Sequence, residues 1–567
     1  MSTPTIIEPE TPPQEDDAVQ VQEHELEQQQ AQPSQQQEQP ARDWARELVP
    51  MAIFGVIAVA IVVRVTQLTA LGFNSDEAVY SGQAGSLAGV GAFARSFSPF
   101  RAHPLLLQTI LAGEFSLLGR MSETAARMTV VAFGVGAVYA TYLLGRRMYG
   151  VAVGLGAAAG LALMPYHVFI SRQVLLDVPA GLAVLLAFAA LYRYYGVETR
   201  RWLYLAGAMA GVACVIKETM IVFAPAALLY LAWAGLLRKT RIRDGVIALA
   251  LMGLMLAPFI GTRFVFTGSD AGGYIVYQLF RDPNHPVWYF PVVLWIFVTP
   301  IAVLSVVGGF IYSCVRRDRA AKLLLSWLIV FGLFFQFWPT KLLPYTVILV
   351  PAMALIGARG VVEAIRAVRA RTSLERTTIV AAIAGVAILM PMIRPTLGAG
   401  AVIRDSSFSG PFTTDVEVQD FAGGREVGQW LGTHTPSNTV VLTMGPSLGN
   451  LVSFYGDRDF YALSVSQDPK LRNPAYRPIP NPDTEIRQIH VQFAIWDAYT
   501  ADRSPFYSQR LMSYVEKYSG TPVFTVWVDG DNVKTGRVAP EGAEIRVAVY
   551  SLVGGDPLHG APVEVGQ

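Results

Sequence analysis

Charged and ring-bearing side chains break the long apolar stretches of this chain at only a few points, so any chemistry must be sought there. The first is Phe73-Asn74-Ser75-Asp76-Glu77-Ala78-Val79-Tyr80, where two adjacent carboxylates follow an apolar segment. A carboxylate within hydrogen-bond reach of a hydroxyl can take its proton, which makes Asp76 and Glu77 candidate catalytic groups, Asp76 as general base. The same run also reads as a helix start, because Asn, Ser and Asp are good capping residues. Next, Phe100-Arg101-Ala102-His103-Pro104-Leu105 presents Arg101 and His103 at a segment end, either as donors to a phosphate or as an interfacial Arg with a solvated His.

Three more sites place charge against apolar surroundings: Arg172 and Asp177 in 171–179, Lys217-Glu218 in 215–219, and Lys341 in Lys341-Leu342-Leu343-Pro344-Tyr345. Such charges are costly near lipid unless they are used or paired. Arg172 with Asp177, and Lys217 with Glu218, are the pairs expected if their role is structural. The loop Arg281-Asp282-Pro283-Asn284-His285-Pro286-Val287-Trp288-Tyr289 adds His285, a metal ligand or an interface residue, beside the aromatic pair Trp288 and Tyr289.

The elements that must carry these residues are membrane helices. The 567-residue chain is 52% hydrophobic and 15% charged, with a mean hydropathy of +0.39, against about 25% charged for soluble proteins. A water-soluble enzyme is excluded, and runs of this length are helical spans rather than barrel strands. Net charge +1 argues against nucleic acid as a partner. Cys214 and Cys314 both lie in apolar segments, so neither a disulfide framework nor a cysteine metal cage is expected.

Apolar segments fall at 46–69, 104–119, 126–145, 151–169, 178–195, 202–216, 220–237, 245–265, 291–314, 323–339, 343–358 and 377–394. Strict alternation fails by one crossing unless one short segment is re-entrant, so about 11–13 spans are expected. Basic loops at 238–243, 316–319 and 359–376 belong in the cytoplasm by the positive-inside bias, which puts the loops around Asp177, Lys217 and Lys341 and everything after 394 outside. The glycines of 154–160 lie within an apolar segment and read as a close-packing helix face. Walker-type, His-Glu-x-x-His and Asp-x-Asp motifs are absent from the sequence.

Residues 1–45, rich in Gln, Glu and Pro, read as a disordered cytoplasmic tail without the pattern of a secretory signal peptide, leaving the first span as an uncleaved anchor. Residues 46–398 form the multi-spanning domain. From 399 to 567 the composition turns polar and aromatic, with strand-like runs at 440–444, 490–495, 523–528 and 545–550 and helical ones at 424–433 and 504–518, which predicts an extracytoplasmic α/β domain. The fold class expected is therefore a polytopic α-helical membrane protein with a C-terminal α/β domain.

Taken in order, these motifs resemble the GT-C superfamily of polyprenyl-phosphate-sugar-dependent glycosyltransferases, in particular the protein O-mannosyltransferase branch that includes the lipid A aminoarabinose transferases. The resemblance rests on Asp76-Glu77, His103-Pro104-Leu105-Leu106, Arg127 and Gly145-Arg146-Arg147, the Arg172 to Pro179 stretch, Lys217-Glu218-Thr219, His285 to Tyr289, and Lys341 to Tyr345 followed by Pro351. It covers roughly two-thirds of the chain, residues 46 to 360.

What the resemblance implies is transfer of a sugar, with inversion, from a lipid-linked phosphate to an acceptor hydroxyl. Asp76 would be the base, Arg101, His103, Lys341 and Tyr345 would meet the donor phosphate, and Arg172, Asp177, Lys217, Glu218, Trp288 and Tyr289 would line the substrate cavity. In the aminoarabinose transferases a glutamate and a histidine bind a metal. His285 matches that histidine, but Ala102 stands at the glutamate position and His103 at the family lysine, in the mannosyltransferase His-Pro pattern. The resemblance therefore favours a neutral hexose, mannose first, and leaves a divalent metal resting on His285 alone. The partners implied are a polyprenyl-phosphate-linked donor, membrane lipid, and a glycan, lipid or protein acceptor. The rival class is a transporter or lipid flippase using Asp76, Asp177 and Lys217 as a path, and a transferase of lipid-linked glycans shares the same lipid-phosphate site.

Overall fold

The computed structural model describes residues 44–552, apart from 71, 100–102, 198, 268–272, 282, 399–422 and 530–531. Most of the expected tail, the expected boundary at 398/399 and Arg101 lie outside the described residues. Contacts divide the chain into two compact units, Met1–Ala52 and Ile53–Gln567, and the larger holds the remaining helices and the sheet.

Each apolar segment named above contains helix. Among the described residues six helices are long and apolar enough to cross a membrane, and up to eight when the bent pairs Val151–Leu163 with Pro165–Ser171 and Tyr289–Trp295 with Pro300–Arg316 each count as one span. Leu106–Leu118 and Glu218–Trp233 are shorter apolar helices. The chain is a multi-pass membrane protein.

Local chemistry sets the helix ends. Asp318 caps Arg319–Phe337 by accepting from Ala321 N at 3.0 Å, and Ser122 caps Glu123–Tyr149 through Ala125 N at 3.3 Å. Gly150, with φ of 97°, reverses the chain so that Val151–Leu163 packs back on Glu123–Tyr149. That packing requires Gly154, where a Cβ would come within 2.7 Å of Arg146 N. Deeper in the bundle, Trp327 stacks on Phe188 with ring centroids 4.4 Å apart, flanked by Phe223 and Phe331.

The end of the first helix, Trp44–Val65, is pinned by two buried arginines. Arg64 donates to Ser171 Oγ (2.8 Å) and to the carbonyl of Ala162 (3.1 Å), and its Nη2 lies 3.0 Å from His167 Nδ1. Arg172 donates to the carbonyls of Val63 and Gln67 at 3.0 and 3.1 Å. These bonds satisfy both guanidinium groups in an apolar setting and fix where residues 66–74 leave the bundle.

The C-terminal region is a six-stranded mixed sheet in the order β2-β1-β3-β6-β4-β5, from β1 (Val440–Thr443), β2 (Asp459–Ala462), β3 (Phe493–Asp497), β4 (Thr521–Asp529), β5 (Asn532–Gly536) and β6 (Glu544–Ser551). β1 pairs in parallel with β2 on one side and β3 on the other, while β6 and β4 extend the sheet antiparallel. Leu442, Met444, Val491, Ala494, Leu511 and Val515 form its core. The strand and helix runs expected from the pattern are present. The pattern did not reveal β2, β5 or the helix Pro446–Gly456.

Candidate active site

Asn74 and Glu77 form a capping box at the start of helix Ser75–Leu87. Asn74 Oδ1 accepts from Glu77 N at 2.9 Å, and Glu77 Oε2 accepts from Asn74 N at 3.0 Å. Glu77 is fully committed. Its Oε1 also accepts from Arg127 Nε (2.9 Å) and Val174 N (2.8 Å), and its Oε2 from Arg127 Nη2 (2.7 Å). Arg127 further binds the carbonyls of Leu68 and Gly72. Glu77 is 1% exposed and is not among the residues lining the cavity described next. Its ion pair with Arg127 holds its neighbour Asp76 in place.

Asp76 lines a cavity of about 520 Å³ together with His103, Asp177, Lys217, Tyr274 and Tyr345. Lys217 Nζ lies 2.7 Å from Asp177 Oδ1 and 4.5 Å over the Tyr345 ring. His103 Nδ1 lies 3.0 Å from Glu218 Oε2, and its Nε2 lies 3.2 Å from Tyr274 Oη, which accepts from Gln278 Nε2 at 2.7 Å. Burial, with Glu218 nearby, holds the Tyr274 phenol well above its ordinary range, so it stays a donor. The pairs expected from sequence neighbours are thus exchanged: Lys217 joins Asp177, Glu218 joins His103, and Arg172 turns to backbone carbonyls. Neighbours in sequence at a helix end diverge in direction, whereas Asp177 and Lys217 sit on adjacent packed helices.

Several other expected residues stand back from the cavity. Lys341 binds Asn284 Oδ1 through its backbone N (2.8 Å) and reaches the His285 carbonyl at 3.4 Å. The His285 ring stacks on Tyr289 at 4.0 Å, and Trp288 is exposed. Among the described residues no three His, Cys, Asp or Glu side chains cluster closely enough to hold a metal ion.

The sheet region closes the cavity. Asn450 Nδ2 donates to Ser75 Oγ and to Tyr476 Oη, both at 2.9 Å. Tyr455 Oη accepts from Phe73 N (2.7 Å) and donates to Glu123 Oε1 (2.8 Å), and burial with Glu123 beside it keeps this phenol protonated. Arg425 adds an ion pair with Glu123 at 2.6 Å. The lining contributed here, Ser447, Ser464, Ser466, Arg472, Tyr499 and Arg503, was not singled out from sequence. The missing signal was β2: without it β1 and β3 do not reveal that the order reverses beside β1, which is where open sheets with parallel strands bind ligands.

Fold and site together define a membrane protein whose polar, carboxylate-bearing cavity lies at helix ends beneath an α/β cap. Residues 102–262, under a third of the chain, match the family model described as dolichyl-phosphate-mannose-protein mannosyltransferase. No curated protein matches the sequence. Among solved structures, ArnT from Cupriavidus metallidurans in the apo state aligns at TM-score 0.58 and 15% identity, covering 88% of this chain and 98% of that one. The same enzyme bound to undecaprenyl phosphate gives 0.57 and 16% over the same shares. The oligosaccharyltransferase AglB from Archaeoglobus fulgidus, in complex with an inhibitory peptide and a dolichol-phosphate, gives 0.52 and 14%, covering 87% and 75%. The chain therefore shares the fold of these enzymes.

Proposed function

We propose that this protein is an integral-membrane glycosyltransferase that moves a hexose, mannose first, from a polyprenyl-phosphate-linked donor to an acceptor hydroxyl. The observation that carries this reading is Asp76 on the wall of a cavity that also holds His103 and Lys217. The mannosyltransferase family match and the lipid phosphates bound by the ArnT and AglB structures support it.

The acceptor oxygen attacks the anomeric carbon from the face opposite the phosphate, Asp76 takes its proton, and the anomeric C–O bond breaks with its electron pair leaving on the phosphate. His103 and Lys217 counter the charge that develops there. Tyr345 lies under Lys217 and helps to aim it, and Arg101 and Lys341 are assigned to the donor phosphate by the resemblance alone. Asp177 holds Lys217 in place and Glu218 holds His103. The bond broken and the bond formed lie on opposite faces of the sugar, so the anomer inverts. The N-terminus is cytoplasmic, the cavity and sheet region face outward, and protein, glycan or lipid hydroxyls are the acceptors. The charges gather at helix ends under the cap, which favours transfer over a transport path through the midplane.

The test is incubation of purified protein with a radiolabelled polyprenyl-phosphate-mannose and native membranes. The label is expected in an acceptor with the opposite anomeric configuration. Retention of configuration, or a donor left intact across several tested sugars, overturns the reading.

A further inference from the structure

The chain from Gly72 to Glu77 is anchored from two sides. On the side of the membrane helices, Arg127 donates to the Gly72 carbonyl at 2.6 Å and to the Glu77 carboxylate at 2.7 Å, and Asn74 Nδ2 donates to Gln173 Oε1 at 3.3 Å. On the other side stands the cap helix Pro446–Gly456, which packs on helix Ser75–Leu87. From it, Tyr455 Oη accepts from Phe73 N at 2.7 Å, and Asn450 Nδ2 donates to Ser75 Oγ at 2.9 Å. The Phe73 ring, 1% exposed, is wedged between the ring of Phe454 and the guanidinium of Arg127, each 5.2 Å from its centroid. The cap therefore grips two of the three residues that run directly into Asp76.

The gripping groups are themselves fixed. Tyr455 Oη donates to Glu123 Oε1 at 2.8 Å, and Glu123 Oε2 pairs with Arg425 at 2.6 Å. Helix Gly424–His434 presses on the same tyrosine, since a Cβ added at Gly428 would stand 2.5 Å from Tyr455 Cβ. Asn450 is 2% exposed, and its amide also donates to Tyr476 Oη at 2.9 Å. Connected hydrogen bonds between buried groups hold a single arrangement. The helix that carries Asn450 and Tyr455 begins at Pro446 and Ser447 on the cavity wall, so one element runs from that wall to the backbone before Asp76.

Resting on the proposed transferase reading, we infer that Tyr455 and Asn450 are positioning residues for the base, so that the cap sets where the Asp76 carboxylate stands. Neither is among the residues lining the cavity, and both act through the chain at Phe73 and Ser75. A general base must stand about 2.6–3.2 Å from the hydroxyl whose proton it takes. Misplacement by about 1 Å costs on the order of a hundredfold in rate.

The test is a double-mutant cycle on the purified full-length protein, reading transfer of labelled mannose from polyprenyl-phosphate-mannose to native membrane acceptors and, separately, donor binding. Tyr455→Phe removes the hydroxyl and keeps the ring. It is expected to lower kcat by about tenfold, part of the loss that a full misplacement brings, with donor binding unchanged. On the residual transfer of Asp76→Asn the same substitution is expected to cost less than about twofold, because no carboxylate is left to misplace. Ser75→Ala, which removes only the acceptor of the Asn450 contact, runs through the same cycle and carries the test alone where Tyr455→Phe does not fold. Equal losses in the two backgrounds, or wild-type turnover in both variants, overturn the inference while the transferase reading stands. Weakened donor binding in the variants also overturns it, because the cap contacts would then shape the donor site. Absence of any transfer by wild type defeats the transferase reading itself, and this inference with it.

Discussion

Replacing Lys217 by Met leaves Asp177 charged and buried without its partner. The two side chains are each 7% exposed and 2.7 Å apart, so solvent screens the pair little. Removing one partner of such a pair costs about 3–5 kcal/mol, because the remaining ion keeps its desolvation penalty. With an unfolding entropy of about 2.1 cal/mol/K per residue over about 500 folded residues, the thermal midpoint falls by roughly 1 °C per kcal/mol, or about 3–5 °C. The double variant Lys217→Met with Asp177→Asn returns most of that stability, since neither charge is then stranded. Turnover separates structure from chemistry: if Lys217 counters the charge on the departing phosphate, the double variant stays slower than wild type by about a hundredfold. The assay is thermal unfolding in detergent for the four members of the cycle, paired with sugar transfer. A single variant as stable as wild type refutes the buried pair, and a double variant with wild-type turnover refutes the electrostatic role.

Arg127→Met strands the Glu77 carboxylate, which holds Asn74, Val174 and Arg127 together. Stability is expected to fall by about 3–5 kcal/mol with a loss of turnover as Asp76 shifts, and thermal unfolding beside a transfer assay would show neither if the hub were dispensable. Asp497, buried after β3, caps the helix that carries Tyr499 and Arg503, and burial pushes its carboxyl up to about 7. The folded protein therefore binds this proton more tightly than the unfolded chain, so the contribution of this one carboxyl to stability is fully present below about pH 4 and is lost as pH rises through about 7, by an amount on the order of a few kcal/mol. Asp497→Asn removes that slope, and parallel pH profiles of thermal unfolding for the two proteins refute the assignment. Exhaustive chelation is expected to leave transfer intact, since His285 stacks on Tyr289 and no three metal-ligating side chains cluster among the described residues. Activity lost on chelation and restored by a divalent cation contradicts this.

The membrane helices were legible because most apolar runs end close to charge or proline, and the α/β region because its strands alternate. The site was legible where a residue breaks an apolar run: Asp76, His103, Asp177, Lys217 and Tyr345 all reach one cavity. At Glu77 the sequence left two readings side by side, because a carboxylate that completes a capping box looks like one waiting for a substrate. Only the position of Arg127, 50 residues away in sequence, decides between the two. Lys341 was expected at the donor phosphate, His285 at a metal and Tyr289 in the cavity lining; in the fold Lys341 reaches the His285 carbonyl and the His285 ring stacks on Tyr289. The sheet-edge residues stayed hidden since β2, Asp459-Phe460-Tyr461-Ala462, lacks the β-branched run that marks β1, and the switch point exists only once β2 is paired.

The central claim is that Asp76 deprotonates the acceptor while the rest of the cavity holds the lipid-linked donor. The most direct measurement is transfer of labelled mannose from polyprenyl-phosphate-mannose by purified wild type and Asp76→Asn, with donor binding measured on the same preparations. Transfer is expected to fall by about a hundredfold or more, the contribution of a general base, with donor binding little changed. An Asp76→Asn protein that turns over like wild type contradicts the claim.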